Sequence, residues 1–134
     1  MSSDGMRQIG EVAETVGLSQ RTIRHWDEVD LVPPSGRSAG GFRLYTEADI
    51  ERLRLVKSLK PLDLSLEEIR ELLSIRDQLG LLSEGGGIES LRERLSTYAD
   101  RAETRCLDLR AQLDEIERLA RRLRNEANGE ADIT

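Results

Sequence analysis

One cysteine, three prolines and four aromatic residues in 134 positions close off several ways of building a protein. A lone thiol, Cys106, can neither form a disulfide within the chain nor supply a zinc cluster, so no covalent or metal staple holds the fold. Scarce rings, with plentiful Glu, Arg and Leu, favour helix over sheet. No apolar run approaches the roughly 18 residues of a membrane-spanning helix. The start, Met1-Ser2-Ser3-Asp4-Gly5, lacks both the basic and the apolar region of a signal peptide, so a cytoplasmic protein without a membrane partner is expected. His25 is the only histidine, and no Ser, Cys or carboxylate beside it completes a triad. Gly85-Gly86-Gly87 lacks the Lys-Ser or Lys-Thr that would make it a phosphate cradle. No catalytic residue, metal ligand or cofactor is therefore expected, and the chain is not read as an enzyme. A mass of 15.1 kDa has room for one small domain with an extension.

A net charge of −6 argues against indiscriminate binding to polyanions. The charge is uneven, however. Between Arg21 and Lys60 eight basic residues stand against six acidic ones, so any nucleic-acid surface belongs in that stretch and should be selective.

Ile9, Val12, Ala13 and Val16 recur at helical spacing, and Gly17 can end that helix in the left-handed region. Ser19 offers an N-cap for a second helix in which Thr22, Ile23 and Trp26 alternate with Gln20, Arg21, Arg24 and His25. Two short helices joined by Gly17-Leu18-Ser19 have the spacing of a helix-turn-helix. Pro33, Pro34, Gly36, Gly40 and Gly41 mark a turn region before the β-like run Phe42-Arg43-Leu44-Tyr45, which predicts a small hairpin or wing. Thr46 with Asp49, and Ser65 with Glu68, read as capping boxes that open two further helices; Tyr45 with Ile50 and Leu64 with Ile69 are placed as their hydrophobic staples.

From Ile88 onward, apolar residues recur every seven positions at Ile88, Leu95, Ala102, Leu109, Ile116 and Leu123. Leu91, Tyr98 and Leu119 take the companion positions, Leu113 lies beside the seam, and Arg105 and Gln112 interrupt it. The stripe is too long for so small a head to cover, so an identical helix is the expected partner. The organisation that follows is a flexible N-terminus over 1–6, a head over 7–76, a hinge over 77–87, a coiled-coil helix over 88–125 and a disordered tail over 126–134.

The ordered elements Ile9-Gly10-Glu11-Val12-Ala13, Gly17-Leu18-Ser19-x-x-Thr22-Ile23-Arg24, Leu31-Val32-x-Pro34, Gly41-Phe42-Arg43-x-Tyr45 and Asp49-Ile50-x-Arg52-Leu53, with Leu62-x-Leu64-Ser65-Leu66-x-Glu68-Ile69-x-x-Leu72-Leu73 after them, closely resemble MerR-type transcription regulators. The resemblance spans roughly Gln8 to Ile75. It implies a mainly α protein: a winged helix-turn-helix head with a small β wing, a second helix pair, and a long C-terminal helix that forms an antiparallel coiled coil in a homodimer. It further implies an inverted-repeat promoter operator of double-stranded DNA that the dimer distorts, with RNA polymerase as a further partner. Carried over, Ser19, Gln20, Arg21, Thr22, Arg24, His25 and Trp26 fall on the recognition helix. Arg37, Gly41, Phe42, Arg43 and Tyr45 fall on the wing, and Lys60 lies near a backbone-contacting position. Ile88, Leu91, Leu95, Tyr98, Ala102, Leu109, Leu113, Ile116, Leu119 and Leu123 would form the dimer seam.

Side-chain chemistry agrees with those roles. Gln20 and Arg21 suit adenine and guanine edges in a major groove, whereas Thr22, Arg24 and Arg43 suit phosphate oxygens. Gly40-Gly41 would let the wing turn tightly enough for Arg37 and Arg43 to reach the flanking minor groove or its phosphates. Trp26, spaced from Ile23, favours packing, with its indole N–H still able to reach a phosphate.

The family pattern is broken at His25-Trp26-Asp27, where most relatives have two tyrosines and a glutamate. It is broken again at Asp30 and Asp63, which stand in glycine positions and must adopt left-handed backbone at modest local cost. Cys106 lies midway along the long helix, where antiparallel overlap would bring two copies together for a disulfide or soft metal. A small buried apolar residue is the plainer reading. The competing reading of the whole chain is a coiled-coil interaction module with weak or accessory DNA binding.

Overall fold

The computed structural model describes residues 5–82 and 85–130. In chain order these form β1 (Arg7–Gln8), α1 (Ile9–Val16), α2 (Gln20–Glu28), β2 (Gly36–Arg37), β3 (Arg43–Tyr45), α3 (Glu47–Ser58), a 3-10 turn (Lys60–Leu62), α4 (Leu66–Leu81) and α5 (Ile88–Ala127). The architecture is mainly helical, with one small antiparallel sheet in the order β1-β3-β2. In that sheet Gln8 and Gly36 flank Leu44 from either side, and Arg37 faces Arg43. β1 has no sequence signal, because two residues cannot display an alternation. It forms where the chain entering α1 runs along the free edge of β3.

Local chemistry sets the helix boundaries. Gly17, at φ 78°, closes α1 by donating its N–H to the Ala13 carbonyl at 2.9 Å, and the side chain of Ser19 caps α2 by accepting from Thr22 N–H at 3.0 Å. Both capping boxes form: Thr46 and Asp49 exchange bonds of 3.1 and 3.0 Å at the start of α3, and Ser65 and Glu68 exchange bonds of 3.1 and 2.9 Å at the start of α4. The Ser65 N–H, and next to it the Arg101 guanidinium of α5, hold the Glu68 carboxyl below its ordinary range. Asp30 and Asp63 adopt positive φ, 58° and 51°, as their place in the turns requires.

The main apolar centre of the head joins Val12, Ile23, Val32, Tyr45, Ile50 and Leu53 of successive elements, all almost wholly buried. A second cluster joins Leu59, Leu72 and Ile75 to Leu91 and Tyr98 of α5, with Leu95 half-buried against it. The head thus covers the first part of the long stripe and no more. Leu91, Leu95 and Tyr98, assigned to the dimer seam, pack against the α3–α4 region of their own chain, and Arg105 donates to the Pro61 carbonyl at 2.8 Å. Ile88 and Ala102 are half-buried.

Beyond Cys106, which is exposed in the single chain, the stripe is bare. Leu107, Leu109, Leu113, Ile116, Leu119 and Leu123 are 41–64% exposed. The boundaries also move. α4 runs through Leu81, so residues 77–81 are helix rather than hinge, and α5 extends two residues past the expected end at 125. The glycine turn remains, with Gly85 and Gly87 at positive φ. The hinge at 83–84, the N-terminus at 1–4 and the tail at 131–134 lie outside the described residues.

Candidate nucleic-acid interface

α2 divides its side chains cleanly. Ile23 is buried to 0% exposure, while Gln20, Arg21, Arg24 and His25 are exposed on the other side. The amide oxygen of Gln20 accepts from Arg24 at 3.4 Å, one turn on, so both are presented on one face. Thr22 is half-buried, its hydroxyl accepting from Ser19 at 2.9 Å; Ser19 is itself exposed but occupied as the cap. Trp26 is half-buried against the apolar centre, in accord with its spacing from Ile23. Lys60 is exposed, at the start of the 3-10 turn.

The wing is a tight turn from Ser38 to Phe42. Ser38 N–H donates to the Phe42 carbonyl at 2.9 Å, and Gly41 N–H donates to the Ser38 carbonyl at 2.9 Å. Gly41 sits at φ 83°, where a side chain would be strained. A Cβ on Gly40 would stand 3.0 Å from the Phe42 ring. Phe42 is 63% exposed at the wing tip, and Arg37 donates to the Gly41 carbonyl at 3.2 Å while half-exposed to solvent.

Two wing residues are engaged within the chain itself. Tyr45 is wholly buried at the end of β3, in the apolar centre with Ile50 of α3; its assignment as a DNA contact is corrected to core. Arg43 is half-buried, and its Nε donates to Asp27 Oδ2 of α2 at 2.8 Å, a bond that raises the guanidinium's affinity for its proton. Arg37 lies 3.8 Å from the same oxygen. Asp27 is thus the functional neighbour that sequence reading did not assign, since its partners lie 10 and 16 residues away and no local pattern reports the pairing. Lys57 of α3 donates to the Val16 carbonyl at 2.8 Å and anchors the end of α1 beside the turn.

The Tyr45 hydroxyl is the buried side-chain polar atom left without a hydrogen-bond partner among the described residues. Burial first, and the negative field of Asp27 second, push its pKa up to about 12. Since the folded state favours the neutral phenol, this contribution to stability is intact below the ordinary value near 10 and is lost as pH climbs from about 10 to about 12. The denaturation midpoint of Tyr45→Phe should therefore fall less steeply than that of the natural chain across this window. Equal slopes in alkaline denaturant titrations would show that Tyr45 does not carry the effect.

A buried helix face behind an exposed polar one, a three-residue turn before it and a two-stranded wing beside it define a winged helix-turn-helix. The family model described as MerR HTH family regulatory protein matches residues 7–75, just over half of the chain, and the chain belongs to that family. It is 45% identical over 71 residues to the HTH-type transcriptional regulator ZntR of Escherichia coli K12, a match covering 53% of this chain and 50% of that protein. It is 43% identical over 79 residues to the HTH-type transcriptional regulator YfmP of Bacillus subtilis, covering 58% and 56%. The chain spans about half the length of the curated relatives it matches.

Among solved structures, HiNmlR, a MerR family regulator lacking the sensor domain and bound to promoter DNA, superposes with a TM-score of 0.70 at 25% identity, covering 93% of this chain and 96% of that one. PbrR691 of Ralstonia metallidurans CH34, in complex with lead(II), gives 0.54 at 30% identity, with 86% of each chain covered. Among the described residues of this chain no group of three or more His, Cys, Asp or Glu could hold a metal, and no helix is long and apolar enough to cross a membrane.

Proposed function

We propose that this chain is a sequence-specific DNA-binding transcription regulator that grips an inverted-repeat promoter operator as a homodimer. The observation that carries the reading is the exposed array of Gln20, Arg21 and Arg24 on the recognition helix, opposite a wholly buried Ile23 and beside a wing whose tip presents Phe42 and Arg37. Side chains near the start of such a helix reach base edges, and the wing sets register on the backbone. Likeness to a regulator bound to promoter DNA along nearly the whole chain supports the same docking. The bare half of α5 supplies the second element: five exposed large hydrophobics along one face, Leu109, Leu113, Ile116, Leu119 and Leu123, on a helix of 40 residues are suited to an antiparallel copy of themselves. Two heads so joined would address half-sites separated by whole helical turns of about 10 to 10.5 base pairs. Distortion of the promoter, to the benefit of RNA polymerase, is proposed from family membership.

Selection from random duplexes by the purified chain tests the reading, with enrichment of a symmetric motif as the expected result. On the recovered duplex, Arg21→Ala should weaken binding by about 5- to 150-fold and relax the preference at one base pair per half-site. Failure to enrich any motif, alongside robust retention of a protein partner on α5, would favour the interaction module instead.

A further inference from the structure

The wing's two arginines converge on a single oxygen. Arg43 Nε lies 2.8 Å and Arg37 Nη2 3.8 Å from Asp27 Oδ2, and through these two ion pairs Asp27 ties α2 to the wing. The two arginines are not equivalent. The Arg43 side chain keeps 23% of its surface and Asp27 keeps 17%, whereas Arg37 keeps 52%. An arginine that already neutralises a half-buried carboxylate adds no net positive charge to a duplex. Pulling it away would leave Asp27 confined without its closest cation, above a Tyr45 hydroxyl that has no partner of its own.

We propose that Asp27 is a positioning residue that fixes the wing against the recognition helix, with Arg43 as the strut between them and Arg37 as the wing cation that meets phosphate. The inference rests on the DNA-binding reading and makes a distinction that reading does not. Each protein cation that neutralises a phosphate contributes about 0.9 to the slope of log affinity against log salt. A strut contributes nothing to that slope: without it the wing must be ordered on binding, so affinity falls while the bound contacts, Arg37 to phosphate included, remain.

The test uses the full chain and a duplex recovered by selection, titrated by fluorescence anisotropy over a salt series. Asp27→Asn and Arg43→Ala should each weaken binding about tenfold while leaving the salt slope at the natural value. The double variant should be no worse than either single one, as expected of two residues acting as one unit. Asp27→Glu should restore most of the affinity, and Arg37→Ala should lower the slope by about one. Tighter binding with a slope steeper by about one in Asp27→Asn would overturn the proposal, because Arg43 would then be a phosphate cation that Asp27 withholds. Additive losses in the double variant would overturn it too. Should Asp27→Asn fail to fold, Arg43→Lys, which keeps the charge but loses the planar fork, takes its place with the same expected pattern.

Amide exchange of residues 36–43 in the free protein supplies a readout that needs no DNA. Exchange should accelerate equally in Asp27→Asn and Arg43→Ala, and unchanged exchange would overturn the positioning role. If no duplex is bound by any form while exchange accelerates, the regulator reading fails and the strut stands.

Discussion

Ile116→Asp is expected to leave the head folded and to abolish tight operator binding. Ile116 is 62% exposed in the single chain, in the middle of the bare stretch from Leu107 to Leu123, so the substitution disturbs nothing within the protomer. In a symmetric pair the change occurs twice. Each copy forfeits roughly 1.5–3 kcal/mol of apolar burial and brings a carboxylate into an apolar seam. Affinity for a palindromic site should then fall by at least 100-fold, since one head makes half the contacts and gains nothing from the tether of the other. Sedimentation equilibrium at micromolar concentration gives the direct measurement: the natural chain at twice 15.1 kDa and the variant at 15.1 kDa. A variant that still sediments as a dimer would place the interface elsewhere.

The largest loss of stability is expected from Ile23→Ala, two residues from the exposed Arg21. Ile23 has 0% exposure and shares the apolar centre with Val12, Val32, Ile50 and Leu53. Truncating a buried isoleucine costs about 2–5 kcal/mol, because the vacated volume is only partly refilled. Against a total of about 5–15 kcal/mol for a small protein, this should lower the thermal midpoint by more than about 10 °C. Arg24→Ala, at the next position on the exposed face, should stay within about 0.5 kcal/mol of the natural stability while weakening DNA binding. Calorimetry and duplex titration on the two variants should thus report opposite phenotypes from adjacent residues. A loss under about 1 kcal/mol for Ile23→Ala would mean that the recognition helix is not held by the packing described.

What could be read ahead of the structure was whatever neighbouring residues settle among themselves. The cap of Ser19 on Thr22, the two boxes, the Gly17 terminus, and even the left-handed turns at Asp30 and Asp63 involve partners within a few positions, and all appear as expected. Amphipathic spacing likewise separated Ile23 from Arg21 and Arg24, because helical periodicity alone decides which side chains share a face.

The tertiary structure decided where those faces went. Leu91 and Leu109 belong to the same seven-residue rhythm, yet the first is buried by α4 and the second stands free, a difference set by how far the head reaches along α5. Arg43 and Tyr45 share the wing motif, but one is taken by a carboxylate 16 residues earlier and the other by the core. A sequence specifies a side chain's chemistry and its local direction, whereas its occupant depends on which distant surface the fold brings within reach. For that reason the recognition helix was legible from the order of residues, while the strut that holds the wing beside it was not.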